Sequence, residues 1–186
     1  MLQADPIEHW QVSHLAALDY DALMNLFKSL DAPVVGEVSG EYAGFDYLGQ
    51  NEETFAAALE RVKAGNGVFW LGKGIPGEEG DGASGYNRLR QPDGTVMRRD
   101  RFGVHRGTSP IDGKETLMLK YSDFDNPAGS IGFLDEVRKV NDTLFLCTGT
   151  PEEGAGAPGF FFLAGPPAPF QGADDPQGEL REGVVV

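Results

Sequence analysis

Cysteine is nearly absent. Cys147 is the single one in 186 residues, which excludes an internal disulfide and fits a reducing compartment. Long apolar runs are missing too. None approaches the roughly 20 residues that a membrane-spanning helix needs, and the opening MLQADPIEHW has neither the basic nor the apolar region of a secretory leader. A cytoplasmic protein without membrane insertion is therefore expected. Positive charge is scarce. Fifteen Lys and Arg against 29 Asp and Glu leave a net charge of −14, and a field of that sign repels phosphate, so nucleic acid is not an expected partner. His9 and His14 are five residues apart, not the four that would set two ligands on one helix face, and no Cys/His cluster supports a zinc site. Neither Gly72-Lys-Gly74 nor the loop at 77–85 meets a phosphate-loop or dinucleotide fingerprint. Ser84 does not form a nucleophile elbow, because Tyr86 stands where glycine is required. No metal and no cofactor are expected.

What is present fits one domain with a proper core: 40% hydrophobic residues, 10% aromatics, and a length short for two domains. The 26 glycines point to turns and strongly bent strands. Residues 5–31 read as helical. Asp5-Pro6 is an N-cap and N1 pair, and from Tyr20 to Leu30 the residues Leu23, Leu26, Phe27 and Leu30 form one apolar stripe. Pro33 ends this part. Val34 to Tyr42 reads as a first, sharply coiled strand. Asn51 to Ala64 reads as an inserted helix stopped by Gly65. Beyond Gly67 the pattern is almost all β, punctuated by turns at Pro92-Asp93-Gly94, Pro110 to Gly113 and Asn141-Asp142. About eight strands fall between residues 34 and 165, and the last of them contains Phe160-Phe-Phe162, which must split between its two faces.

These elements predict a mainly β fold: an eight-stranded antiparallel barrel, lipocalin-like in size, with short N-terminal helices and one inserted helix. Such a barrel is just wide enough for one small ligand, and a two-sheet sandwich is the competing arrangement. Residues 1–33 would pack on the barrel, 34–165 would form it, and 166–186, rich in proline, glycine and acid, would be a disordered tail.

Short segments carry a resemblance. Leu26 to Leu30 followed by Gly36-Glu-Val-Ser-Gly40 resembles the helix and glycine-framed first strand of the bacterial and fungal proteins built from a GXWXG domain followed by a DUF4334 domain. Trp70-Leu-Gly-Lys73 resembles their aromatic-Gly-Lys strand, and Leu119-Lys-Tyr121 with Leu134 to Arg138 resembles their later strands. Val38 stands in the place of the name-giving tryptophan. The resemblance, which spans most of residues 20–164, implies a lipocalin-like (calycin) barrel and an apolar ligand, and it supplies no catalytic residue.

Candidate site residues come from strand parity. Six of the nine arginines lie between Arg88 and Arg106. Arg99 and Arg101 share a face with His105 by alternation. Turned inward they would clamp an anionic ligand head; turned outward they would offset nearby acids. Alternation also puts Asp135 on an apolar face with Phe133 and Val137, while Glu136 and Arg138 face outward. An inward Asp135 would be either an acid/base group or one half of an internal salt bridge. Trp70 and Phe133 would line an apolar pocket. His105 and Tyr121 are candidate partners of Asp135, and Cys147 reads as a small buried residue.

Three functional readings follow. The first is a barrel that binds a small hydrophobic molecule with an anionic or carbonyl end, through Trp70, Arg99, Arg101 and Phe133. The second is an isomerase, cyclase or dehydratase acting on an apolar carbonyl compound in the same cavity, with Asp135, His105 and Tyr121 moving protons. The third is a non-catalytic protein partner or homo-oligomer subunit that uses the acidic loop at 76–82 and the tail.

Overall fold

A computed structural model describes residues 5–49, 67–80, 83–126, 132–152, 156–174 and 179–180. The chain starts with a 3-10 turn at Ile7–His9 and two helices, α1 (Val12–Ala16) and α2 (Tyr20–Ser29). Asp19 caps α2, its carboxylate accepting from the backbone N–H of Ala22 at 2.8 Å. Leu23 and Phe27, four apart on one face of α2, are buried.

Eight strands close a barrel: β1 (Gly40–Asp46), β2 (Phe69–Ile75), β3 (Ser84–Arg90), β4 (Val96–Thr108), β5 (Glu115–Lys120), β7 (Phe133–Asn141), β8 (Leu144–Pro151) and β9 (Gly159–Ala168). Between β5 and β7, the two-residue β6 (Phe124–Asp125) leaves the barrel and pairs with β10 (Glu179–Leu180). All neighbouring barrel pairs are antiparallel, and β9 returns to β1 to remove both edges. The expected barrel is therefore the observed fold. β7 and β8 form the hairpin expected at Asn141-Asp142, with Asn141 opposite Leu144.

Two local expectations are corrected. The first strand does not begin at Val34: Val35–Val38 is a 3-10 turn, and β1 begins at Gly40. Val35 and Val38 are both buried, and a spacing of three matches the eclipsed faces of a 3-10 turn rather than the period of two of a strand. The chain past residue 165 is not without order at its start. β9 runs through Ala168, and residues 170–174 lie on the outer face of β3 and β4, where Phe170 packs on Tyr86 and the Asp174 carboxylate accepts from the Arg98 backbone at 2.7 Å. The helix expected at 51–64 lies outside the described residues.

The described residues form two cores, one on each side of the same wall. Inside the barrel lie Tyr42, Ile75, Phe102, Val104, Leu117, Leu119, Val137, Phe145, Phe161 and Leu163, among others. Outside, α1 and α2 bury Leu15, Leu23, Phe27 and Leu30 against Val140, Leu144, Leu146, Phe160 and Phe162. Parity thus splits the phenylalanine run: Phe161 faces inward, and Phe160 and Phe162 face the helices. Arg138 and Glu136 do face outward but are fully buried there. The Arg138 guanidinium donates to the Leu30 carbonyl at 2.8 Å and to Asp112 at 3.0 Å, and it stacks over Phe27. These bonds anchor the end of α2 to the barrel.

β2 bends sharply at Gly72. Its φ is +128°, and a Cβ there would lie 2.1 Å from the Tyr42 carbonyl oxygen. Only glycine lets β2 approach β1 this closely, and the register shifts between Trp70 and Gly72. The bend sets Trp70 and Lys73, three residues apart, against the same interior.

Candidate functional site

Near one end of the barrel a cavity of about 310 Å³ is lined by Asp46, Trp70, Lys73, Asn87, Tyr121, Phe133, Asp135, Gly149, Gly159, Phe160 and Phe161. Its base is built around Lys73. This lysine stands next to Gly72 and Gly74 on β2, and alternation with the outward Gly74 points it inward. Its side chain is 3% exposed. The ammonium lies 4.9–5.7 Å from the ring centroids of Trp70, Phe102, Tyr121 and Phe161, a cage that favours a cation. A lysine ammonium has three protons to donate, and three acceptors meet it: Asp135 Oδ2 at 2.8 Å, Asn87 Oδ1 at 2.9 Å and the Tyr121 hydroxyl.

The surrounding bonds fix the orientation of each headgroup. Asn87 Oδ1 also accepts from Trp70 Nε1 at 3.2 Å, so the amide oxygen faces Lys73 and Trp70 and the NH₂ end is turned away from them. No described residue accepts from that NH₂. The Tyr121 hydroxyl accepts from Lys73 and keeps its own proton for Asn87 Oδ1 at 3.1 Å or Asp135 Oδ2 at 3.4 Å. Asp135 is 5% exposed. Its Oδ2 takes the lysine, while Oδ1 faces Gly149, where a Cβ would come within 3.0 Å of it. No described group donates to Oδ1.

Electrostatics hold Lys73 charged. Burial alone would pull the Lys73 ammonium down, but the Asp135 carboxylate and the Tyr121 hydroxyl outweigh it and raise the lysine above its ordinary value. Burial pushes the Tyr121 phenol up, and Asp135 adds to that, against the pull of Lys73. Lys73 is thus an ammonium and Tyr121 a neutral hydroxyl at neutral pH. A protonated lysine with all three protons engaged is not a nucleophile, which argues against Schiff-base chemistry at this position. Cys147, in the interior core, is also pushed up by burial.

The structure brings together four of the residues named from sequence: Trp70, Tyr121, Phe133 and Asp135 all line the cavity. Phe133 stands at the mouth, 41% exposed. It does not bring Arg101 or His105 there. Phe102 and Val104 point into the interior core, so Arg101 and His105 alternate to the outer face. Arg101 stacks over Phe124 and bonds Ser84 Oγ at 2.8 Å, and His105 meets Asp123 at 2.5 Å. The parity that grouped Arg99 with them fails at Asp100, whose φ is +58°. There two residues of β4, Asp100 and Arg101, oppose the single Tyr86 of β3, a β-bulge that reverses the alternation. Arg99 consequently sits opposite Asn87, 3.7 Å from Asp100, and is not among the lining residues. Lys73 and Asn87 were not singled out from sequence. Lys73 carried one signal, a lone charge inside the apolar run Phe69–Ile75. Asn87, set in SGYNRLR, carried none. Among the described residues no cluster of three or more His, Cys, Asp or Glu is placed to hold a metal.

Fold and site together define a closed antiparallel barrel with a small cavity, apolar at its sides and polar at its base. No family model matches the chain, and no curated protein matches it. Among solved structures it is similar to the crystal structure of a protein from Thermomonospora curvata, at 17% identity and a TM-score of 0.58, over 82% of this chain and 91% of that one. That likeness supports the barrel fold. No helix among the described residues is long and apolar enough to cross a membrane.

Proposed function

We propose that the protein is a lipocalin-like barrel that binds a small hydrophobic molecule carrying a neutral, oxygen-bearing end. The observation that carries this reading is the cavity itself, with aromatic walls and a few fixed polar groups at its base, the pattern of small-molecule sites. A carbonyl end suits it better than an anionic one, because Arg101 stands outside and Lys73, the one cation among the described lining residues, is already paired with Asp135. The aromatic sides would supply affinity, and Asn87, Tyr121 and Asp135 would orient the guest. The kinship with the GXWXG and DUF4334 proteins belongs to this proposal. Mass spectrometry of molecules carried through native purification tests it, together with titration of the neutral probe N-phenyl-1-naphthylamine. Binding should quench Trp70 emission in the wild type and weaken at least tenfold in Trp70→Ala. No carried molecule and no probe binding would overturn the reading.

One observation favours an enzyme as the second reading: two titratable groups, Asp135 and Tyr121, share the cavity wall within 3.4 Å of each other. Asp135 Oδ1 would take a proton from the carbon beside a carbonyl, and Tyr121 would donate to the carbonyl oxygen. His105 has no part in it. Turnover of the carried molecule by the wild type and not by Asp135→Asn is the expected result; no turnover by the wild type sinks it.

A further inference from the structure

The bonds at the base leave a specific pair of groups for a guest. Lys73 is saturated: its three protons go to Asp135 Oδ2, Asn87 Oδ1 and Tyr121. Asn87 and Asp135 therefore each turn one atom to the same ammonium and keep the other atom in reserve. For Asn87 the reserved atom is a donor, Nδ2. For Asp135 it is an acceptor, Oδ1, beside the open position of Gly149. Both residues line the cavity. A guest that covers this donor and this acceptor without bonding them strips away their water and leaves both unpaired, which is costly, so a site shaped this way discriminates against guests that lack the matching groups.

Resting on the proposed ligand-binding reading, we infer that the guest's polar end is a neutral carboxamide or lactam, an acceptor oxygen beside an N–H donor. The oxygen accepts from Asn87 Nδ2, and the N–H donates to Asp135 Oδ1. A plain ketone satisfies only half of the pair. A carboxylate sets negative charge against Oδ1 where the described lining residues offer no cation besides the paired Lys73, and loses its hydration to do so. Lys73 is a positioning residue here: it orients both headgroups.

Four probes of one shape test this, namely benzamide, acetophenone, benzoate and toluene, titrated at pH 7 by calorimetry into the intact protein. Benzamide should bind at least tenfold tighter than benzoate and about three- to tenfold tighter than acetophenone. In Gly149→Ala, whose new methyl would stand 3.0 Å from Oδ1, the advantage of benzamide over acetophenone should vanish while toluene binding changes little. Asp135→Asn should lose the same advantage if it folds; Gly149→Ala carries the test if it does not. Equal binding of benzamide and benzoate, or tighter binding of benzoate, overturns the inference and leaves the apolar cavity standing. So does a benzamide preference that Gly149→Ala leaves intact. Binding of none of the four, toluene included, overturns the cavity reading itself.

Discussion

Lys73→Met isolates the charge at the base of the cavity. Methionine keeps the length and apolar bulk of the lysine stem and removes the ammonium. In the folded wild type the ammonium lies 2.8 Å from Asp135 Oδ2, with the two side chains 3% and 7% exposed. Removing one member of a buried pair leaves the other charge uncompensated and costs about 3–5 kcal/mol. For a chain of this length that corresponds to a melting temperature roughly 6–20 °C lower. The molecule holds its own control. Lys139 and Glu37 approach to 3.0 Å, but their side chains are 30% and 54% exposed, so Lys139→Met should cost only about 0–1 kcal/mol. Denaturant unfolding at pH 7 of the wild type, Lys73→Met, Asp135→Asn and the double variant closes a thermodynamic cycle. The double variant removes both charges of this pair and should recover about 1–3 kcal/mol relative to the sum of the singles. A Lys73→Met cost below about 1 kcal/mol, or strictly additive singles, would refute the picture of a desolvated pair and mean that water reaches the base of the cavity.

Glu136 gives a pH signature of the opposite kind. It is fully buried on the outer face, and among the described residues no group meets either carboxylate oxygen in good hydrogen-bond geometry. Desolvation raises its pKa above 4.5; the nearby Arg138 and the Ser109 and Thr116 hydroxyls favour the charged form without prevailing. Between the unfolded and the raised folded value the native state holds the extra proton, so stability falls as pH rises through that window. Glu136→Gln should therefore melt higher than the wild type at pH 7, with the difference shrinking toward pH 4; calorimetry showing a constant or reversed difference would contradict this. Gly72→Ala should be among the most damaging single-methyl changes, costing more than about 3 kcal/mol, because a positive φ and a clash with the Tyr42 carbonyl act together; urea midpoints check it, and a loss below about 1 kcal/mol would show that the strands can separate there.

The sequence was most legible where strands are regular. β7 runs from Phe133 to Asn141 with side chains alternating through Asp135 and Val137, so parity alone placed Asp135 on the interior face. β4 defeats the same logic, because its bulge uses an aspartate in the left-handed region and no glycine announces it. One residue there parts Arg99 from the face of Arg101 and His105. Lys73 was hidden by its flanking glycines, which erase the alternation that would have shown an inward lysine, and by the habit of reading lysine as surface. Asn87 acquires its role only from Lys73 and Trp70, which reach it across the sheet. The apolar character of both faces of β8 and β9 was plain in Leu144 to Cys147 and in the phenylalanine run, but the burial of Glu136 and Arg138 depends on α2, whose docking place local pattern does not encode.

The two cores make the barrel mechanically lopsided. β7, β8 and β9 are gripped from within and by α1 and α2 from without, whereas the outer faces of β3 and β4 carry ion pairs such as Arg98 and Arg88 with Glu41, covered by the short strap of residues 170–174. Amide hydrogens in the first group should exchange only on global unfolding, and those in the second by local opening. A guest resting between Trp70 and Asn87 on one side and Asp135 and Phe161 on the other has a stiff wall behind it and a yielding one in front. The cavity's tolerance for larger guests is then set by how far β2 and β3 can give, and its preference among small ones by the wall that cannot.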